Sequence, residues 1–309
     1  MNSTITLDSK IYIAGHNGMV GSACWRALKA KGYTNIIGFS SKELDLRDQR
    51  AVFEMLKREK PGAIIDAAAK VGGILANSTY PYEFLMDNML IQNNLIKAAH
   101  ELDIPKFIFL GSSCIYPKMA PQPLKEEYLL TGPLEETNQW YAIAKISGVK
   151  LIEALREQYN RDYVSLMPTN LYGPGDNYDL QTSHVLPAML RKFHEAKENN
   201  HADVVLWGTG TPKREFLHVD DLANAVVFAL ENKMEESLYN VGSGEEITIK
   251  DLAELIQAIT GHKGNIFWDK SKPDGTPRKL MDSLKLKKTL RTNLITLVHG
   301  ISNTYNLLK

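Results

Sequence analysis

Between residues 11 and 167 the chain alternates two apolar patterns. Short, nearly unbroken runs rich in branched side chains ("IYIA", "IIGF", "AIIDA", "FIFL", "VSLM") are separated by longer segments whose apolar positions recur every three or four residues. The runs predict strands at 11–14, 36–39, 63–67, 107–110 and 164–167; the periodic segments predict helices at 19–31, 50–58, 82–102 and 141–159. Strand and helix in alternation build a parallel sheet with crossover helices, and strands apolar at almost every position are covered on both faces. The expectation is an α/β fold with a Rossmann-type, doubly wound parallel sheet.

Past residue 167 the pattern breaks up. Loops rich in Gly, Pro, Asn and Asp ("PTNLYGPGDNYD", "WGTGTPKREFLH", "KPDGTPRK") alternate with short helices predicted at 220–231 and 249–259. Long loops in a compact protein usually carry function. Residues 1–168 therefore read as the nucleotide-binding domain, its last strand elements contributed from later segments. Residues 169–309 read as a smaller, mainly substrate-binding α/β region over the carboxyl ends of the strands, where open α/β sheets take ligands.

Composition narrows the choice. The 309 residues are 44% hydrophobic, and 36 Lys plus Arg balance 36 Asp plus Glu. A chain of zero formal charge offers no general field for nucleic acid or anionic membrane, so an anionic ligand needs a local site. No segment approaches the ~20 apolar residues that span a bilayer, and "MNSTITLDSK" lacks an apolar core flanked by basic residues. A cytoplasmic protein is expected. The two cysteines, Cys24 and Cys114, make no disulfide framework, and no His/Cys cluster has zinc spacing. Cys24 shares a helical stripe with Val20, Ala27 and Leu28 and reads as core.

The first strand runs directly into "GHNGMVG", with Gly15, Gly18 and Gly21 opening a helix. Glycine lets backbone approach a pyrophosphate, and the helix start supplies free N–H donors. Gly15, His16, Asn17, Gly18, Met19, Val20 and Gly21 are thus a candidate dinucleotide cradle. The second strand ends in "GFSSKELDLRD". Ser41 and Lys42 precede the first acid, Glu43, and favour a 2′-phosphate, hence NADP(H) over NAD. Asp45 is placed near the adenine.

Tyr141 and Lys145 in "NQWYAIAKISG" lie four apart, on one side of a helix. A phenol titrates near about 10, and a neighbouring ammonium together with a cationic nicotinamide is expected to lower that value and make proton exchange with a carbonyl practical. At this point the chain resembles the extended short-chain dehydrogenase/reductases, a group acting largely on nucleotide sugars. Within that group it is similar to the 3,5-epimerase/4-reductases of GDP-4-keto-6-deoxy-D-mannose. The resemblance rests on "AGHNGMVGSA", "AAAKVGGILANS", "NMLIQNNLI", "LGSSCIYPK", "YAIAKISG", "MPTNLYGPGDN", "SHVLPAML", "WGTGTPKREFLHVDDLA" and "KPDGTPRK", which span nearly the whole chain.

The resemblance implies that Ser112 partners the substrate's 4-oxygen, Tyr141 donates the proton in reduction and Lys145 supports it while holding the nicotinamide ribose. It implies that Cys114 and His184 are the acid–base pair of epimerisation. Leu110, Gly111, Ser112, Ser113, Pro168, Thr169, Asn170, Leu171 and His184 would line the cofactor with Tyr141 and Lys145. Trp207, Arg214, Asp274 and Lys192, where an arginine is more usual, would bind the GDP-sugar, and a homodimer packed through the helices at 82–102 and 141–159 is implied.

The chemistry is coherent by itself. A 4-ketone acidifies the C3 and C5 hydrogens, and inversion needs two groups that exchange protons from opposite faces of the ring. Which of Cys114 and His184 takes the proton is not set by the residues, and the thiolate is preferred as base. Ser183 is expected to cap the helix after His184. A 4,6-dehydratase would carry carboxyl groups where Ser113 and Cys114 stand. A related epimerase/reductase of colitose formation, or a non-enzymatic NADP sensor or scaffold, are the rival readings.

Overall fold

The computed structural model describes residues 5–200, 202–272, 274–288 and 293–308. In chain order the elements are β1 Ile11–Ala14, α1 Met19–Ala30, β2 Ile36–Ile37, α2 Gln49–Glu59, β3 Ala63–Asp66, α3 Ile74–Thr79, α4 Pro81–Glu101, β4 Lys106–Leu110, α5 Gln139–Tyr159 and β5 Asp162–Pro168. There follow β6 Asn170–Tyr172, α6 Val185–Glu198, β7 Asp203–Trp207, β8 Lys213–His218, α7 Val219–Glu231, β9 Leu238–Val241 and β10 Glu246–Thr248. The last are α8 Ile249–Thr260, β11 Asn265–Asp269, β12 Arg278–Lys279, α9 Leu284–Lys287 and α10 Leu297–Leu308.

Local chemistry sets several of these boundaries. Asp48 starts α2 by accepting from the Ala51 N–H at 3.0 Å, and Thr248 does the same for α8 through Asp251 at 3.0 Å. Pro81 opens α4, where a missing N–H costs nothing. Gly261 ends α8 at φ +78°, in the left-handed region.

Six parallel strands form the main sheet in the order β2-β1-β3-β4-β5-β9. Helices cover both faces. On one, Cys24 and Leu28 of α1 and Val226 of α7 pack on Ile13, Ile65 and Ile108. On the other, Val52 of α2, Leu95 of α4 and Ile152 of α5 pack on Tyr12, Phe107 and Phe109. The doubly wound expectation is met, and Cys24 is fully buried core. β9, drawn from beyond residue 230, pairs with β5 from Ser165↔Leu238 to Pro168↔Val241. The chain runs from β1 out to β2 and returns on the other side of β1 as β3, so a crevice opens at the carboxyl ends of β1 and β3.

The strand predicted at 36–39 is shorter than its apolar run. Only Ile36 and Ile37 pair with β1, because at Gly38 the chain passes under the His16 ring, where a Cβ would lie 2.4 Å from His16 Cγ. The remaining chain makes a smaller α/β layer: β10, β8 and β12 side by side, β6 beside β8, and the β7–β11 pair. Phe193, Ile256, Ile301 and Tyr305 fill its core beneath α6, α8 and α10. Among the described residues no helix is long and apolar enough to cross a membrane.

Candidate active site

The glycine turn differs from residue to residue. Gly15 sits at φ +76°, and a Cβ there would meet Ala67 O at 2.8 Å; one on Gly21 would meet Gly15 O at 2.2 Å. Packing requires both glycines. Around Gly18, the N-cap of α1, a Cβ would meet only Gly15 O at 3.4 Å, and no side chain caps the helix. Gly18 N donates to Gly15 O at 3.0 Å, which leaves exposed Asn17 and the uncapped first turn of Met19 and Val20 as an open cradle of N–H donors that fits a pyrophosphate. His16 lies beside it, its ring 5.9 Å from that of Trp25 and its buried Nδ1 without a hydrogen-bond partner.

At the end of β2, Ser40 donates from N (2.8 Å) and Oγ (2.7 Å) to Glu43, folding that carboxylate back and holding its pKa below the usual range. Ser41 and Lys42 are exposed, and Lys42 has no ion-pair partner among the described residues. Asp45 does not present a free carboxylate. Both oxygens accept from Arg47, at 2.9 to 3.3 Å, and Arg47 also reaches Asp87 at 3.4 Å.

β4 delivers the next group. Leu110 and Gly111 lead into Ser112, which starts a single 3₁₀ turn, Ser113–Ile115, by accepting from the Cys114 N–H at 3.4 Å. Its hydroxyl hydrogen stays free to donate. Lys145 on α5 is 2% exposed; its Nζ donates to Leu110 O at 2.8 Å and lies 4.7 Å above the Phe109 ring and 6.0 Å from the Tyr141 ring. Tyr141 packs edge-on to Phe84, with ring centroids 6.4 Å apart. Pro168, Thr169, Asn170 and Leu171 follow β5 and are pinned when Thr169 N donates to Val241 O (3.1 Å) and Asn170 Nδ2 to Glu215 O (2.8 Å).

The electrostatics of the protein without cofactor set the resting states. The protein's own groups push the Tyr141 phenol up, by burial first and then by the charge that Cys114 carries when ionised and that of the Asp66 carboxylate. Burial pushes Lys145 down, opposed by Asp66 and Cys114. The phenol therefore rests protonated.

His184 is the N-cap of α6. It, rather than Ser183, holds the cap position, because Ser183 turns its Oγ into a buried place without a partner. The preceding loop is tied down where Gly73 N donates to Thr182 O at 2.9 Å. Cys114, 8% exposed, shares a cavity with Tyr116, Lys118, Asn138, Thr276 and Lys279.

Sequence reasoning missed Lys279. It sits on β12 in register with Arg214 of β8, and only that pairing brings the end of "KPDGTPRK" to the thiol. Burial raises the Cys114 pKa while the Lys279 charge draws it down; burial and Lys279 together lower that of His184. The resting pair is thus thiol and neutral imidazole, because burial outweighs the cation at the thiol and adds to it at the imidazole.

Arg214, Lys192 and Lys279 are half-buried, all have pKa values depressed chiefly by burial, and none has a carboxylate ion-pair partner among the described residues. Unpaired buried cations suit an anionic ligand. Lys192 donates to Val205 O at 2.8 Å, and Arg214 donates to Lys213 O at 2.8 Å and Asp274 O at 3.4 Å. The Asp274 carboxylate accepts from Thr209 N (2.7 Å) and Oγ1 (2.8 Å), closing the loop after β7. Trp207 is 50% exposed there, with Lys272 Nζ 5.5 Å from its ring. No group of three metal-ligating side chains occurs among the described residues.

Comparison with known proteins points the same way. Residues 11–242 match the NAD dependent epimerase/dehydratase family. GDP-L-fucose synthase 1 of Arabidopsis thaliana is 54% identical over 299 residues, 97% of this chain and 93% of that protein. GDP-L-fucose synthase of Escherichia coli (strain K12) is 51% identical over 305 residues, covering 96% and 95%. A crystal structure of a GDP-L-fucose synthetase from Naegleria fowleri bound to NADP superposes with a TM-score of 0.90 at 28% identity, covering 99% of this chain and 95% of that one.

Proposed function

The chain belongs to the NAD dependent epimerase/dehydratase family, and on that premise we propose that it acts as a GDP-L-fucose synthase, epimerising GDP-4-keto-6-deoxy-D-mannose at C3 and C5 and reducing C4 to give GDP-L-fucose. It is an NADPH-dependent enzyme on a GDP-sugar. NADPH supplies the hydride that C4 receives. Residues 1–168 hold the cofactor and 169–309 mainly the sugar nucleotide. The N–H groups around Gly18 take the pyrophosphate, while Ser41 and Lys42 meet the 2′-phosphate. Arg214, Lys192 and Lys279 neutralise the substrate's diphosphate, and Trp207 lies against its nucleoside.

Epimerisation depends on charge moving onto the 4-oxygen. The Ser112 hydroxyl, one lone pair of which is occupied by the Cys114 N–H, donates to that oxygen and stabilises the enediolate. Cys114 and His184 pass one proton out of the ring and one back from opposite faces. Lys279 draws the thiol toward its thiolate when the sugar carbon needs a base. In reduction Tyr141 gives its proton to the C4 oxygen, and Lys145 balances the phenolate left behind.

The observation that carries this reading is the thiol on the turn that also holds Ser112, walled by Lys279. A plain reductase has no use for it. Purified protein, GDP-4-keto-6-deoxy-D-mannose and NADPH in deuterium oxide should yield GDP-L-fucose deuterated at C3 and C5, read by NMR. Reduction without exchange would make the enzyme a simple 4-reductase. The apolar surface left by Tyr82, Met86, Leu90, Trp140 and Ile143 on α4 and α5 supports a homodimer through these helices, and we expect it in the cytoplasm.

A further inference from the structure

Asp66 closes β3, a strand buried at every position, and is itself 0% exposed. One oxygen accepts from the Ala68 N–H at 3.2 Å; Oδ2 is buried with no hydrogen-bond partner. A carboxyl in such a place is costly, and an apolar residue would serve the strand better. The position therefore calls for a reason beyond folding.

Register supplies it. Asp66 pairs with Phe109 of β4, so the two side chains leave the same face of the sheet about 5 Å apart. Phe109 is the ring on which the Lys145 ammonium rests, 4.7 Å from its centroid. The titratable groups whose charges act on or feel Asp66 are Tyr12 on β1 and Tyr141 and Lys145 on α5. Only Lys145 among them is cationic.

We infer that Asp66 is a positioning residue for the reduction: its ionised carboxylate, buried beside the Phe109 ring on which Lys145 rests, keeps that lysine an ammonium, so that Tyr141 can surrender its proton. Burial works to strip the proton from Lys145, and the Asp66 charge opposes it. The same charge holds the Tyr141 phenol protonated until O4 accepts from it. Burial pushes Asp66 itself up to about 6, so the device switches on as pH rises through that value.

The inference rests on the assignment of Tyr141 and Lys145 as the reducing pair, and one experiment separates the two. The kcat of NADPH oxidation with GDP-4-keto-6-deoxy-D-mannose is measured from about pH 5 to about pH 10 for wild type, Asp66→Asn, Asp66→Leu and Tyr141→Phe, with melting temperatures and C3/C5 exchange rates. Both Asp66 variants should match wild type near pH 5, where Asp66 is already neutral. Above about pH 7 they should fall roughly tenfold as the basic limb moves down by about one unit, with KM and exchange unchanged and melting temperature not lowered. Profiles parallel to wild type at every pH, or a uniform loss with a lowered melting temperature, would leave Asp66 merely structural. If Tyr141→Phe reduced at the wild-type rate, the reducing pair itself would be misassigned.

Discussion

The two halves of the proposed site are built differently. The reducing half is local: Tyr141 and Lys145 stand one turn apart on α5, and Lys145 is anchored on the end of β4 inside the main core. The epimerising half is an assembly in which Cys114 comes from the turn after β4, His184 from the start of α6 and Lys279 from β12. The first is set once a helix forms and docks, whereas the second needs the small layer to close over the large one. Chemistry shared by related reductases can sit on the rigid half, and chemistry particular to this enzyme on the part built across the cleft.

If that division holds, each half can be disabled alone. Cys114→Ala should lower C3/C5 deuterium exchange by about 10³-fold while NADPH affinity stays within about twofold of wild type, the scale expected when an acid–base group is deleted. Lys145→Met should reverse the pattern, cutting reduction by roughly 10²-fold with exchange largely kept. A parallel loss of both activities in either variant would join the halves into one unit.

Lys279→Gln should be milder, slowing exchange by about tenfold. Its signature is in the pH profile. Removing a positive charge raises the pKa of both Cys114 and His184, because Lys279 lowers each. Both limbs of the exchange profile should move to higher pH, and a profile displaced on one limb only would separate Lys279 from one of its partners.

The last effect concerns stability. Asp66 is raised from 3.8 to about 6 in the fold, so the proton it retains favours the native state fully below pH 3.8, and that contribution is lost as pH rises through about 6. Asp66→Asn should therefore gain stability relative to wild type between these values and hold a gain on the order of 2–3 kcal/mol above them. Urea titrations at about pH 4 and about pH 8 would show it. A destabilised variant at the higher pH would mean that the Ala68 hydrogen bond outweighs the burial of the charge.

Much of this was legible in the chain. The alternation of branched runs and helical stripes predicts β1, β3, β4 and β5 within two residues at either end, because strands buried on both faces have no other composition open to them. The glycine turn and the Tyr141/Lys145 spacing are local signals of the same kind. Lys279 was hidden because its place is set by β12 pairing with β8, some sixty residues away in sequence. Asp66 was hidden inside "AIID", which reads as strand until register sets it beside Phe109, the ring on which Lys145 rests. The upward push on Tyr141 was hidden for a related reason: burial and the Asp66 charge belong to the fold, while the lysine belongs to the motif.

The most direct test of the separation uses Tyr141→Phe with GDP-4-keto-6-deoxy-D-mannose and NADPH in deuterium oxide, following the sugar by NMR and the cofactor by absorbance. Deuterium should enter C3 and C5 at close to the wild-type rate while NADPH is consumed at least about 10²-fold more slowly. Exchange falling in step with reduction would contradict two separable halves.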